Sequence, residues 1–330
     1  MGVYISDEWS FRGLSAVVMQ NEKVRLTVLP ELGAKIYDII YVPRGVNVLW
    51  HNPRVHPRKV PFGSRFDDVW SGGWDEIFPN DAESTVGNER YPDMGEVWSI
   101  EWDSEVHEGR NESTLVTSVD CPITPVSISR RITMHKGASG FDCAYEFTNQ
   151  GHDTVKFLWK IHPAFQINSS CRISVPATEG IVDNRYSSSF ASERYRWPIA
   201  VSREGKKVDV SVVNPHSNTC TLHYLTGLRD GRAALSDAVN GLKSTIKFQK
   251  EVMDSVWLFL AYGAWRGIFN AVIEPSTSYP YDLAEAITQG HVAELDGNGK
   301  LRASVSFEVG ELDAELRQER DKEGRRRSLS

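Results

Sequence analysis

Apolar and polar residues alternate with a period of two along most of this chain. Val24–Pro30, Lys35–Val42, Val97–Val106, Ser113–Asp120, Val126–Met134 and Phe141–Asn149 each read as half-buried strands with turn residues between them. The segment Phe141-Asp-Cys-Ala-Tyr-Glu-Phe-Thr is the cleanest, with rings and sulfur on one face and small or polar groups on the other. The same pattern predicts strands at Val155–His162, Cys171–Pro176, Val208–Val213, Thr219–Leu225, Ser244–Lys250, Val256–Tyr262, Ala271–Glu274 and Ala303–Val309. Helical periodicity is scarce. Tyr281–Gln289 predicts a turn or two, and Leu312–Glu323 a charged amphipathic helix.

Many strands with few short helices predict an all-β chain built as one large antiparallel sandwich. No internal repeat or linker composition divides it, so a single domain is expected over residues 1–312, followed by a polar charged tail at 313–330. The longest irregular stretches are Asn52–Glu96 and Gly180–Lys206. Loops of that length in a compact domain are usually functional or mobile.

Composition narrows the function. Lys+Arg 37 against Asp+Glu 44 leaves −7, so nothing draws the chain generally to nucleic acid or an anionic membrane. The basic run Arg325-Arg326-Arg327 lies in the polar tail and reads as a solvated terminus. No apolar run approaches the ~18 residues of a membrane helix. The first residues have neither a basic nor an apolar signal region, and the Met1-Gly2…Ser6 match to an acylation motif stands without support. The four cysteines are widely spaced, which predicts reduced thiols in a cytoplasmic protein and neither a zinc site nor a disulfide framework. A monomer or homodimer is expected.

Candidate chemistry concentrates at three places. Phe157-Leu-Trp-Lys-Ile-His162-Pro-Ala-Phe165 and Asn270-Ala-Val-Ile-Glu274-Pro-Ser-Thr277 both place a titratable residue before a proline. Proline holds the preceding residue extended and lacks the N–H of a ladder, so His162 and Glu274 are expected at strand ends. Lys160 shares the face of His162 by alternation, and a core normally excludes two such neighbours, so that face predicts a polar cleft. For Glu274 the alternatives are a surface ion pair or a buried acid that needs a partner or ligand.

The third place is Arg65-Phe-Asp-Asp-Val-Trp-Ser-Gly-Gly-Trp-Asp-Glu-Ile-Phe-Pro-Asn-Asp81. Arg65, Trp70, Trp74, Asp75, Glu76, Asn80 and Asp81 surround a Gly-Gly hinge there. Indole faces pack on the C–H face of a pyranose, while carboxylates and amides bond its hydroxyls. The alternative is a pair of core tryptophans under solvated acids. Calcium is a third option, but the regular Asp-x-Asp-x-Asp-Gly ladder is missing.

In order, Leu29-Pro-Glu-Leu-Gly-Ala-Lys35, Gly72-Gly-Trp-Asp-Glu-Ile-Phe-Pro-Asn80, Gly95-Glu-Val-Trp98, Trp159-Lys-Ile-His-Pro-Ala-Phe165 and Ile273-Glu-Pro-Ser-Thr277, then Gly290 and the strand after Leu301, resemble the aldose 1-epimerase (galactose mutarotase-like) superfamily, in its divergent bacterial-type branch. The match runs from about residue 20 to 310. The resemblance implies a β-supersandwich and a mechanism without cofactor or metal. It implies that Glu274 takes the proton from the C1 hydroxyl of a small-molecule sugar and that His162 protonates the ring oxygen. Ordinary pKa values of ~6.5 and ~4.3 suit a protonated histidine opposite an ionised glutamate. Many relatives carry His-Gly where this chain has Met94-Gly95; His51 or His56 are the spatial substitutes to test, and Asp230 and Asp237 the candidate hydroxyl ligands. The expected function is therefore anomer interconversion of a free hexose or related sugar. The alternatives are a hexose-phosphate 1-epimerase, with Arg65 as phosphate ligand, a sugar-binding protein without turnover, and a lyase or hydrolase on a similar sandwich.

Overall fold

Strands with one apolar face must bury it against another such face, and here two antiparallel sheets do so. The computed structural model describes residues 2–187 and 189–313. The predicted helix Leu312–Glu323, the basic run Arg325–Arg327 and nearly all of the tail lie outside the described residues. A 12-stranded sheet runs Tyr4–Phe11, Leu14–Gln20, Val24–Leu29, Lys35–Tyr41, Trp74–Ile77, Lys160–Phe165, Phe269–Ser276, Ser255–Tyr262, Thr219–Thr226, Glu179–Val182 and Arg194–Arg196, with Val46–Asn47 pairing beside this path. An eight-stranded sheet runs Cys171–Ser174, Arg232–Asp237, Leu242–Phe248, Lys300–Glu311, Gly140–Asn149, Val126–His135, Glu112–Asp120 and Asp103–His107. The architecture is the expected all-β sandwich. Four strands of the large sheet position the site: β1 (Trp74–Ile77), β2 (Lys160–Phe165), β3 (Ser255–Tyr262) and β4 (Phe269–Ser276).

The two sheets share one core. Trp74 packs on Phe141 and Phe307, with ring centroids 6.1 and 6.2 Å away, and Trp159 lies 4.8 and 4.7 Å from Tyr145 and Phe147. Each of these rings is at least 97% buried. Alternation then turns the neighbours of Trp74 and Trp159 to the other face of the large sheet.

Several boundaries differ from the expected ones. The stretch Val97–Val106 becomes strand only at Asp103. Val97, Trp98 and Trp102 bury as an irregular plug, with Trp102 Nε1 donating to the Val97 carbonyl, and so mimic alternation without pairing. The expected strand Val155–His162 splits: Val155–Phe157 pairs with Ala293–Leu295, and the chain enters the large sheet only at Lys160. Val208–Val213 contributes only the short strand Lys207–Asp209. Within the stretch expected to be irregular, Trp74–Ile77 is a central strand. The turn before it requires Gly72, with φ +84°, where a Cβ would strike the Trp50 carbonyl. The short helix Leu283–Gln289 is capped by Asp282, whose side chain accepts from Glu285 N–H, and ends at Gly290 with φ +73°.

Among the described residues, no helix is long and apolar enough to cross a membrane.

Candidate active site

The prolines do not end the strands: β2 continues through Pro163 to Phe165, and β4 through Pro275 to Ser276. They interrupt the ladder instead. Lys160 pairs with Ser276 and Ala164 with Val272, and between these the prolines supply no N–H. The same register sets His162 opposite Glu274 midway through that gap. On its other side His162 pairs with Asp75, and Glu274 pairs with Trp257 of β3. Cross-strand partners share a face, so the outer face of the large sheet carries Asp75, His162, Lys160 and Glu274 together.

Lys160, His162 and Glu274 form the floor of a cleft walled by Phe66, Trp70, Tyr186, Trp257, Phe259 and Trp265, with Asp67, Asp81, Met94 and Leu222 completing it. The cavity between these residues has a volume of about 50 Å³. Lys160 Nζ touches both Glu274 and Asp81 and lies 4.3 Å from the centre of the Trp257 ring. His162 Nε2 is 4.0 Å from Glu274 Oε2. The imidazole meets Phe66 and Trp70 edge to face, both centroids at 5.4 Å, and its buried Nδ1 has no hydrogen-bond partner among the described residues. Glu274, Lys160 and His162 are 1, 2 and 5% exposed, so the surrounding protein rather than water sets their charge.

Burial pushes the Glu274 carboxyl up to about 7; Lys160 opposes the shift and Asp81 adds to it. Burial drives His162 well below its ordinary value, reinforced by the charges of Lys160 and Lys35. Burial works against the Lys160 ammonium, but Asp81 and Glu274 outweigh it and raise its pKa. This reverses the expected starting state. The imidazole is neutral in the free protein, and the cation beside Glu274 is Lys160.

The loop residues separate by the side of the sheet they face. Trp70 and Asp81 line the cleft. Asp75 lies beneath it, 2.7 Å from Lys35 Nζ and accepting from Trp70 Nε1 at 3.2 Å. Trp74 and Glu76 point into the sandwich core, so neither can meet a sugar in the cleft. Glu76 accepts from Arg130, Tyr145 and Trp159. Asn80 is wholly buried and donates to the carbonyls of Ala82 and Pro92, which fixes the loop. Arg65 is exposed at the start of the Phe66–Val69 helix and does not line the cleft. The oxygens weighed for calcium do not converge: Asp75 meets Lys35, Glu76 meets Arg130 and Asp81 meets Lys160.

The proposed substitutes for the missing histidine also lie elsewhere. His51 stacks on Tyr37 at 3.9 Å and His56 is exposed, while Met94 itself lines the cleft. Asp230 is exposed beside Arg232, and Asp237 accepts from Asn168 and Asn240 at a turn of the eight-stranded sheet. Tyr186, Trp257, Phe259 and Trp265 were not singled out from the sequence. Two signals were present: Trp257 and Phe259 alternate on one face of a predicted strand, and Tyr186 falls in a long irregular stretch. A larger cavity of about 450 Å³ opens on the opposite face of the sheet, but its Asp209 is tied to Arg172 and its His223 to Tyr195. The facing acid and base groups belong to the smaller cleft.

No protein-family model and no curated protein matches the sequence significantly. Solved structures do match it in fold. A candidate aldose 1-epimerase from Klebsiella pneumoniae subsp. pneumoniae MGH 78578 superposes with TM-score 0.73 at 14% identity, over 98% of this chain and 87% of that one. A galactose mutarotase-like protein from Clostridium acetobutylicum gives 0.69 at 12%, over 94% and 99%. A galactose mutarotase related enzyme from Lactobacillus acidophilus gives 0.61 at 12%, over 91% and 98%. The chain has the galactose mutarotase-like fold.

Proposed function

We propose that the protein interconverts the α and β anomers of a neutral free sugar, as an isomerase of the aldose 1-epimerase type. Glu274 carries the reading: a carboxyl buried at the foot of an aromatic cleft, touching a cation and poised at about 7. Opening a cyclic hemiacetal requires one group to accept the O1 proton while another protonates the ring oxygen, and no nucleophile. Glu274 is the acceptor. The donor stands on the cationic side of the cleft, where the family resemblance assigns the role to His162. Half-buried Trp265 supplies an indole for the C–H surface of the sugar, and Asp67 and Asp81 supply acceptors for its hydroxyls.

The names of the fold neighbours support the same chemistry. Among the described residues the cleft is lined by three carboxylates, one lysine and no arginine, which disfavours a phosphorylated sugar. Anomer-exchange NMR across a panel of free and phosphorylated sugars tests the reading. At least one neutral sugar should exchange faster than in buffer. Acceleration of none sinks the proposal, and thermal stabilisation without exchange identifies a sugar-binding protein instead.

A further inference from the structure

We propose that the larger cavity, on the face of the sheet opposite the cleft, binds an uncharged, mostly apolar molecule with a hydroxyl at each end, a rod-like diol of the phenol type. This second site goes beyond the anomer-exchange reading and does not depend on it.

Strand register builds the cavity floor. Where Thr219–Thr226 pairs with β3, Thr219 stands opposite Tyr262, Thr221 opposite Leu260 and His223 opposite Leu258. Alternation sends Thr219, Thr221, His223, Leu260 and Tyr262 to one face, and all five line the cavity. The intervening Leu222 and Phe259 line the cleft on the other face. His223 and Tyr262 are four residue steps apart in this register, so at about 3.3 Å per residue the floor between them runs about 13 Å. Val208, Val210 and Val212 supply apolar walls. Phe190, whose ring meets His223 edge to face at 5.4 Å, adds an aromatic one, which suits a flat aromatic body. The volume of about 450 Å³ falls within the roughly 300–1,000 Å³ usual for small-molecule sites.

Each end of that floor carries an unmet hydrogen bond. His223 Nδ1 meets the Tyr195 hydroxyl at 3.0 Å, while Nε2, at the other edge of the ring, is buried with no partner among the described residues. The Tyr262 hydroxyl is likewise buried and unpartnered among them. Leaving a buried polar atom unpaired is costly, and two at the ends of one cavity point to a bound molecule that pairs both. Nε2 donates or accepts according to which ring nitrogen holds the hydrogen, and the Tyr262 hydroxyl can do either. A ligand hydroxyl also does both, so it satisfies each end whatever the tautomer. The interior offers no free charge to an ionic ligand. Asp209 is engaged by Arg172 at 2.7 Å, His223 is kept neutral by burial, which lowers it to about 3, and Lys207 is exposed to solvent.

Fluorescence titration of the full chain with p,p′-biphenol tests the site. Binding should saturate at one molecule per chain. Tyr262→Phe should weaken it by about 5–10-fold, and p-phenylphenol, which lacks one hydroxyl, should bind the wild type more weakly by a similar factor. The variant loses only an unpartnered hydroxyl, so it should melt no lower than the wild type. Trp265→Ala, which alters the cleft instead, should leave the affinity for p,p′-biphenol unchanged. Absence of saturable binding to the folded wild type overturns the proposal, and a cavity that holds only water gives that result. Equal affinity in wild type and Tyr262→Phe overturns it too, as does a lower melting temperature of that variant, which would show that the hydroxyl already has a partner. Tighter binding of biphenyl-p,p′-dicarboxylate refutes the uncharged ligand. Loss of p,p′-biphenol binding in Trp265→Ala places the probe in the cleft and removes the second site.

Discussion

Two buried carboxylates on the strands that flank β2, Glu76 and Glu274, meet opposite fates on the two faces of one sheet. Glu76 points into the sandwich, where Arg130 Nη1 donates at 3.0 Å, Tyr145 Oη at 2.7 Å and Trp159 Nε1 at 3.3 Å. Its hydrogen-bonding capacity is filled from inside the protein, and it ties the two sheets together. Glu274 is equally buried but opens onto a cleft, and it shares its one close cation with Asp81. Burial alone therefore does not mark function. What marks it is a buried acid whose partners leave capacity for something else.

The largest expected effect breaks the closed cluster. Arg130→Met should destabilise the fold by about 3–5 kcal/mol, because it strands the Glu76 charge inside the core. Urea denaturation measures this, and sugar exchange per folded molecule should remain near wild type. Loss of exchange without loss of stability would erase the contrast between the two faces.

Glu274→Gln should do the reverse, lowering exchange by ~10²–10⁴-fold with the fold intact. Retained exchange would remove Glu274 from the chemistry.

The pH dependence of stability sharpens the comparison further. The Glu274 carboxyl sits at about 7 in the folded protein against an ordinary 4.5, so between those values the folded state holds a proton that the unfolded chain has released. Its contribution favours folding at the acid end and is lost as pH rises through about 7, a change of up to about 3 kcal/mol. Denaturation midpoints of wild type and Glu274→Gln should diverge as the pH is raised from about 5 to 8, with the variant the more stable at the alkaline end. Parallel curves would show that the carboxyl is ordinary.

The smallest effect concerns Met94, which lines the cleft with φ +60°. Histidine tolerates that backbone region better than methionine, and an added donor there can reach a sugar hydroxyl. Met94→His should lower KM several-fold with little change in melting temperature. An unchanged KM would show that the position no longer touches substrate.

How much of this was legible in the sequence differs between residues. Period-two alternation was enough for the sandwich and for placing Lys160 and His162 on one face. It could not distinguish Trp70 from Trp74, or Asp75 from Glu76, because the loop's composition looked sugar-binding throughout. Only recognising Trp74–Ile77 as a central strand would have sent alternate residues to opposite sides. The expected protonated His162 failed for a different reason. Ordinary pKa values describe groups in water, whereas here desolvation and the Lys160 charge act together on the ring.

The sequence by itself determined the all-β architecture, the extended backbone at His162 and Glu274, and the charges available to a site, because these follow from local pattern and from proline chemistry. Only the tertiary structure decided that the two residues stand opposite each other across a gap in the ladder. It also decided that Glu76 is sealed into the core and that Lys160 comes between Asp81 and Glu274. Strand register and desolvation depend on which distant segments meet, and no local pattern encodes that.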